Sequence, residues 1–162
     1  ELSLMDFTTK RDALTYLYSL QLMVLLSYPV AAYAAPHFSE NDLIVLADQI
    51  KKPRIALTSL FQMISKHLSL EPLQVIWHET SQITEWGFYL AFYPHGADAI
   101  EQLNAITRRA YHCLRSGKNA EFAENLADSY RMILASVQAY MVDQYNFTEA
   151  LSVQVPDRDS LK

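Results

Sequence analysis

"LQLMVLLSYPVAAYAAPHF", residues 20–38, lies within a run from Ala13 to Ala35 that contains no Asp, Glu, Lys or Arg. A charge-free apolar run of this length is long enough to span a bilayer. Lys10 and Arg11 ahead of it and Ala-Tyr-Ala-Ala near its end also resemble a secretion signal with its cleavage site. A third reading makes it the central helix of a bundle, wrapped by its neighbours. Thr15, Ser19, Gln21, Ser27 and four tyrosines dilute its apolar character, and no second segment like it follows to complete a membrane bundle. The buried helix is therefore the working expectation, with the other two readings left open.

The rest of the chain is consistent with that choice. The 162 residues are enough for one domain with a substantial core. Half the residues are apolar and only 3 are Gly, which disfavours both disorder and a turn-rich β-sandwich. A single cysteine, Cys113, cannot form an internal disulfide or a CxxC pair. Nothing then requires an oxidising compartment, and the cytoplasm is expected. A formal net charge of -5 makes the domain itself a poor nucleic-acid binder.

Punctuation and periodicity divide the chain into six helices with no strand. Thr8 or Thr9 can cap the first, which should reach about Ala35, with Pro36 at its end and Pro29 as a possible kink point. Ser39 and Asp42 have capping-box spacing, placing a second helix from Glu40 to Pro53. Leu57, Phe61, Ile64 and Leu68 give one apolar face to a third helix over 54–68. Pro72 suits the first turn of a fourth helix, which the pattern carries to about Phe92 before a turn at Pro94–Gly96. Ala99, Leu103, Ile106, Ala110 and Cys113 or Leu114 form the stripe of a fifth helix ended by Ser116-Gly117. Phe122, Leu126, Ser129, Ile133, Val137 and Tyr140 form that of a sixth. The expected division is a helical domain over 1–146 and a loose C-terminal tail over 147–162, where the periodicity fades.

Three segments carry a family resemblance. "YAAPHFSENDL" (33–43) resembles the end of the first helix of the FCD effector-binding domain of GntR-type bacterial transcription regulators. "LFQMISKHLSLEPLQVIW" (60–77) is similar to that family's fourth helix and its break, with Ser69 and Pro72 retained. "AITRRAYHCLRSGKNAEFAENLADSYRMI" (105–133) resembles the closing helix pair, joined at Gly117-Lys118-Asn119. The resemblance implies an all-α, six- to seven-helix antiparallel bundle that binds a small-molecule effector and forms a homodimer. DNA would be contacted only through a separate winged-helix domain not contained in these residues, and no membrane would be involved.

Many members hold a divalent metal with one Asp and three His. Aligned on Phe61, Ser69 and Gly117, those four positions fall on Thr58, Gln62, Thr107 and Ser129. Neutral oxygens replace strong ligands, so the resemblance implies a site without metal or other cofactor. The family's anion-binding Arg falls at Met23, which points to an effector with apolar character. The expected ligand-binding set is Met23, Thr58, Gln62, Thr107, Arg108, Tyr111, Ser129 and Tyr130, with Leu22, Phe61 and Leu103 nearby and Arg109 or Arg131 at the rim. Against this stands a plainer reading, in which Thr and Ser inside helices bond to a carbonyl one turn back and do nothing else. His67, His78, His95 and His112 show no paired metal spacing, and the aromatic run Trp77, Trp86, Phe88, Tyr89, Phe92 and Tyr93 suggests core packing or a dimer face. No nucleophile, base and orienting group can be assembled, so an enzyme is not expected. A helical adaptor that binds another protein and has no ligand cavity is the alternative.

Overall fold

The computed structural model describes residues 10–52, 56–85, 87–88, 90–92 and 98–157. Among them the architecture is all-helical, with α1 (Lys10–Ala34), α2 (Glu40–Ile50), α3 (Leu57–Lys66), α4 (Glu71–Glu85), α5 (Ala99–Arg115) and α6 (Asn119–Tyr145). Short 3-10 turns at Ala35–His37 and Thr148–Ser152 complete it. The expected cap at Thr8 or Thr9, the helix boundary at Pro53-Arg54 and the turn at Pro94–Gly96 lie outside the described residues.

The charge-free segment is a helix that lies against the bundle. Its inner face, with Leu17, Leu20, Met23, Val24 and Ala31, is fully enclosed and packs mainly along α6. There it meets Phe122, Leu126, Tyr130, Ile133 and Val137, which supply the other half of the core. Pro29 sits inside the helix on its exposed side, where the hydrogen bond lost with its N–H lies away from the core.

Local chemistry sets the other boundaries. Ser39 and Asp42 form the expected reciprocal box at the start of α2: the Asp42 amide donates to Ser39 Oγ at 3.1 Å, and the Ser39 amide donates to Asp42 Oδ2 at 2.9 Å. At the end of α5 the Lys118 amide donates to the Cys113 carbonyl and the Gly117 amide to that of Leu114. This six-to-one and five-to-two pairing needs a left-handed residue at Gly117, whose φ is +69°. α6 stops where Asn146 takes φ +52°.

Two expectations need correction. α4 ends at Glu85, not near Phe92, and the chain passes into a 3-10 turn. The Thr84 carbonyl, which a continuing α-helix would offer to Phe88, accepts instead from the Gly87 amide at 3.3 Å in the tighter turn and from Tyr16 Oη at 2.8 Å. The segment after Tyr145 is not loose over its described part. Phe147, Ala150 and Val153 are buried, and the Gln138 amide donates to the carbonyls of Ala150 and Val153. Gln21 reaches the Gln154 carbonyl at 2.8 Å and Arg131 that of Pro156 at 2.9 Å, so the strap is tied to α1 and α6. Residues 158–162 lie outside the described part.

Candidate functional site

The positions aligned with the family pocket separate on the structure. Met23 and Thr107 are fully buried, and the Thr107 hydroxyl makes a long bond, 3.4 Å, to the Leu103 carbonyl one turn back. Ser129 Oγ donates to the Asn125 carbonyl at 2.7 Å in the same manner. These two follow the plainer reading of polar residues inside helices. Thr58 is half-buried, and its Oγ1 is enclosed without a hydrogen-bond partner among the described residues. Gln62 instead faces outwards into a shallow groove that it shares with Val45, Gln49 and Lys66. Arg108 is paired with Glu101, Arg131 with Asp128, and Tyr111 is half-buried beside His112. Leu22, expected near the pocket, is on the solvent side of α1.

Aromatic rings occupy the centre where α3, α4 and α6 meet. Phe61 stacks on Tyr130 with centroids 5.4 Å apart and meets Trp77 and Phe88 edge-on at 5.8 and 6.0 Å. Trp77 Nε1 donates to the Phe61 carbonyl at 3.2 Å, so the ring that brings most volume also has its polar atom satisfied. The Tyr130 hydroxyl is enclosed close to Thr84 without a well-formed hydrogen bond, and burial raises its pKa far above the ordinary phenol range. Burial likewise raises Tyr16. Trp77 and Phe88 therefore belong to the core, while Trp86, Tyr89 and Tyr93 fall outside the described residues.

A polar cluster escaped the sequence reading. Asp42, almost fully buried, accepts from Lys66 Nζ at 2.8 Å and is 2.7 Å from His67 Nε2, while also holding the Ser39 amide. Burial pushes its carboxyl up, but the donors Lys66, Ser39 and His67 outweigh that and hold it well below the usual carboxylate range. His67 thus joins the Asp42–Lys66 ion pair as a hydrogen-bonding partner in a lock between α2 and α3. Only the capping-box role of Asp42 was visible in sequence. Among the described residues no three His, Cys, Asp or Glu side chains stand close enough to hold a metal. Cys113 is buried, accepts a weak contact from Asn125, and has its thiol pKa raised by burial, which makes it a poor nucleophile.

The most conspicuous surface is the outer side of α1 and the adjoining rim of α4. Tyr18, Leu22, Leu25, Pro29 and Tyr33 follow a helical spacing along the exposed side of α1. α4 runs antiparallel beside it, joined by Tyr16 to Thr84 at one end and by Tyr33 to Ser69 at the other. Leu70, Ile76 and Ile83 extend the apolar surface along that neighbour. The large residues on this face leave between 39% and 62% of their surface open. Together they expose on the order of 600 Å², mostly apolar, which is at the upper end for the largest patch on a monomer. Neither a family model, nor a curated protein, nor a solved structure matches this chain.

Proposed function

We propose that the chain is a binding domain that works by self-association through the α1–α4 face. In this reading it serves as the effector-responsive dimerisation domain of a cytoplasmic GntR-type regulator. The observation that carries the reading is the apolar surface just described, uncharged along its α1 half. Water-facing helices are normally polar on the outer side, and this one stays apolar through Tyr18, Leu22, Leu25, Pro29 and Tyr33. An area on the order of 600 Å² per copy is most of the roughly 800 Å² per partner of a standard interface. Two-fold pairing places each copy's α1 stripe on the other's, and the absence of charge from Ala13 to Ala35 keeps like charges off that half of the contact, while the exposed Glu71 and Glu79 of α4 fall at its margin.

The resemblance to the FCD domain supports this role: an effector would bias how two copies sit together, and a separate winged helix would read DNA. The burial of α1's inner face against α6 supports a helix that belongs to the bundle over one that leaves it for a bilayer. Sedimentation equilibrium tests the proposal. Wild type should be dimeric at micromolar concentration, and the double variant Leu22→Asp, Leu25→Asp should be monomeric with unchanged helix content. A wild-type chain that stays monomeric at high concentration would leave the face to a different protein and defeat the proposal.

A further inference from the structure

We propose that the pocket between the C-terminal end of α1 and the start of α4 binds a neutral amphiphile, a short aliphatic chain ending in a hydroxyl or carbonyl. The pocket has a volume of about 210 Å³ and opens on the α1–α4 face. Leu26, Pro29 and Val30 form one wall, and Leu68, Leu70 and Leu73 form the other. Among the described residues no charged side chain lines it. The polar atoms of the lining side chains are confined to one place, where Tyr33 Oη and Ser69 Oγ are hydrogen-bonded to each other.

That arrangement sets the ligand's chemistry. Six aliphatic side chains around a concave space favour a hydrocarbon group by the burial of its surface. The Tyr33 and Ser69 hydroxyls can each donate and accept, so a ligand hydroxyl or carbonyl can enter their pair without leaving either unsatisfied. A carboxylate or phosphate is disfavoured, because among the described residues no cation lines the pocket and the chain's net charge is negative. At about 30 Å³ for each water-sized unit, the space takes roughly seven such units, which corresponds to a chain of about six to eight carbons.

The site rests on the self-association reading only in sharing its face, and the test separates the two. The probe is the series of straight-chain primary alcohols from butanol to decanol. Each is titrated by calorimetry and by NMR shift mapping into wild type and into the Leu22→Asp, Leu25→Asp variant, whose substitutions lie outside the lining. Affinity should rise about fourfold per added methylene, then level off near seven or eight carbons, with shifts centred on Val30, Tyr33 and Leu73. Leu70 is 62% exposed, so Leu70→Asp should keep the fold, checked by circular dichroism, while abolishing the binding. Tyr33→Phe combined with Ser69→Ala should weaken the alcohols about threefold to tenfold through loss of the head-group bonds, and should leave the chain-length slope unchanged. Chain-length-dependent binding in both proteins supports the proposal even if wild type proves monomeric. Absence of binding at millimolar alcohol, equal binding by Leu70→Asp, or binding by the aspartate variant but not by a dimeric wild type would overturn it. The last result would assign the pocket to a side chain of the second copy.

Discussion

Gly87→Ala tests the packing argument that ends α4. A β-carbon at Gly87 would lie 1.8 Å from Tyr16 Oη and 2.3 Å from its Cζ, well inside any real contact distance. Tyr16 cannot easily yield, because it is 3% exposed and its hydroxyl is anchored 2.8 Å from the Thr84 carbonyl. Either the ring leaves its slot and the buried bond is lost, or the turn after α4 moves. Overpacking costs about 1–3 kcal/mol, and an abandoned buried hydrogen bond adds about 1 kcal/mol. The expected loss is therefore about 3 kcal/mol, which lowers Tm by roughly 6–12 °C in a chain of this size. Urea and thermal melts of four proteins provide the measurement: wild type, Gly87→Ala, Tyr16→Leu and the double variant. Leucine lacks the atoms that the new methyl would strike, so Gly87→Ala should cost less than about 1 kcal/mol in the Tyr16→Leu background. Equal costs in both backgrounds, or a wild-type-like Gly87→Ala, would refute the close-approach explanation.

Asp42→Asn should lower stability at neutral pH by about 1–3 kcal/mol, an estimate reduced because its partner Lys66 is 62% exposed. Because the folded-state pKa of Asp42 is depressed, its contribution is complete above the unfolded value near 4 and is lost as pH falls below it. Acid titration of the melts should accordingly show a shallower fall below about pH 4 in the asparagine variant, and parallel curves would contradict the lock. Gln138→Leu removes the donor shared by Ala150 and Val153 and should cost about 2 kcal/mol. Faster hydrogen exchange across 147–157 in that variant, with α5 unaffected, would check it; unchanged exchange would show that the strap is held elsewhere. Thr107→Val with Ser129→Ala should change stability by less than about 1 kcal/mol, since both hydroxyls serve only their own helix backbones.

Much of the helical framework could be read from local chemistry. The capping box at Ser39, the stop at Gly117 and the stripes of α3, α5 and α6 each depend on residues within a turn or two, and such signals survive folding. The errors arose where a distant partner decides the outcome. α4 gives way to a tighter turn where the Thr84 carbonyl accepts from the Gly87 amide and from Tyr16, 68 positions earlier, a partner the local pattern does not reveal. The strap after Tyr145 lacks periodicity because carbonyl bonds to Gln21, Arg131 and Gln138 hold it, and these leave no pattern of their own. The expected pocket residues failed to converge for a related reason. Gln62 is one helical turn from Thr58, yet it lies beyond the edge of the face that α3 buries.

The opening segment shows why composition alone left three readings standing. An amphipathic helix announces its buried side by contrast with a polar one, but α1 is apolar on both, so its sequence contains no contrast to read. The structure supplies the asymmetry through α6, which encloses Leu17, Leu20, Met23 and Val24 and leaves Tyr18, Leu22 and Leu25 open. Stability of the single chain requires only the enclosed side. Apolar residues on the open side are not needed for that packing, and a polar replacement there would cost the monomer little. Their presence is explained if the open side meets another surface. That makes substitutions at Leu22 and Leu25 the sharpest separation of folding from function in this chain: monomer stability should be retained while association is lost.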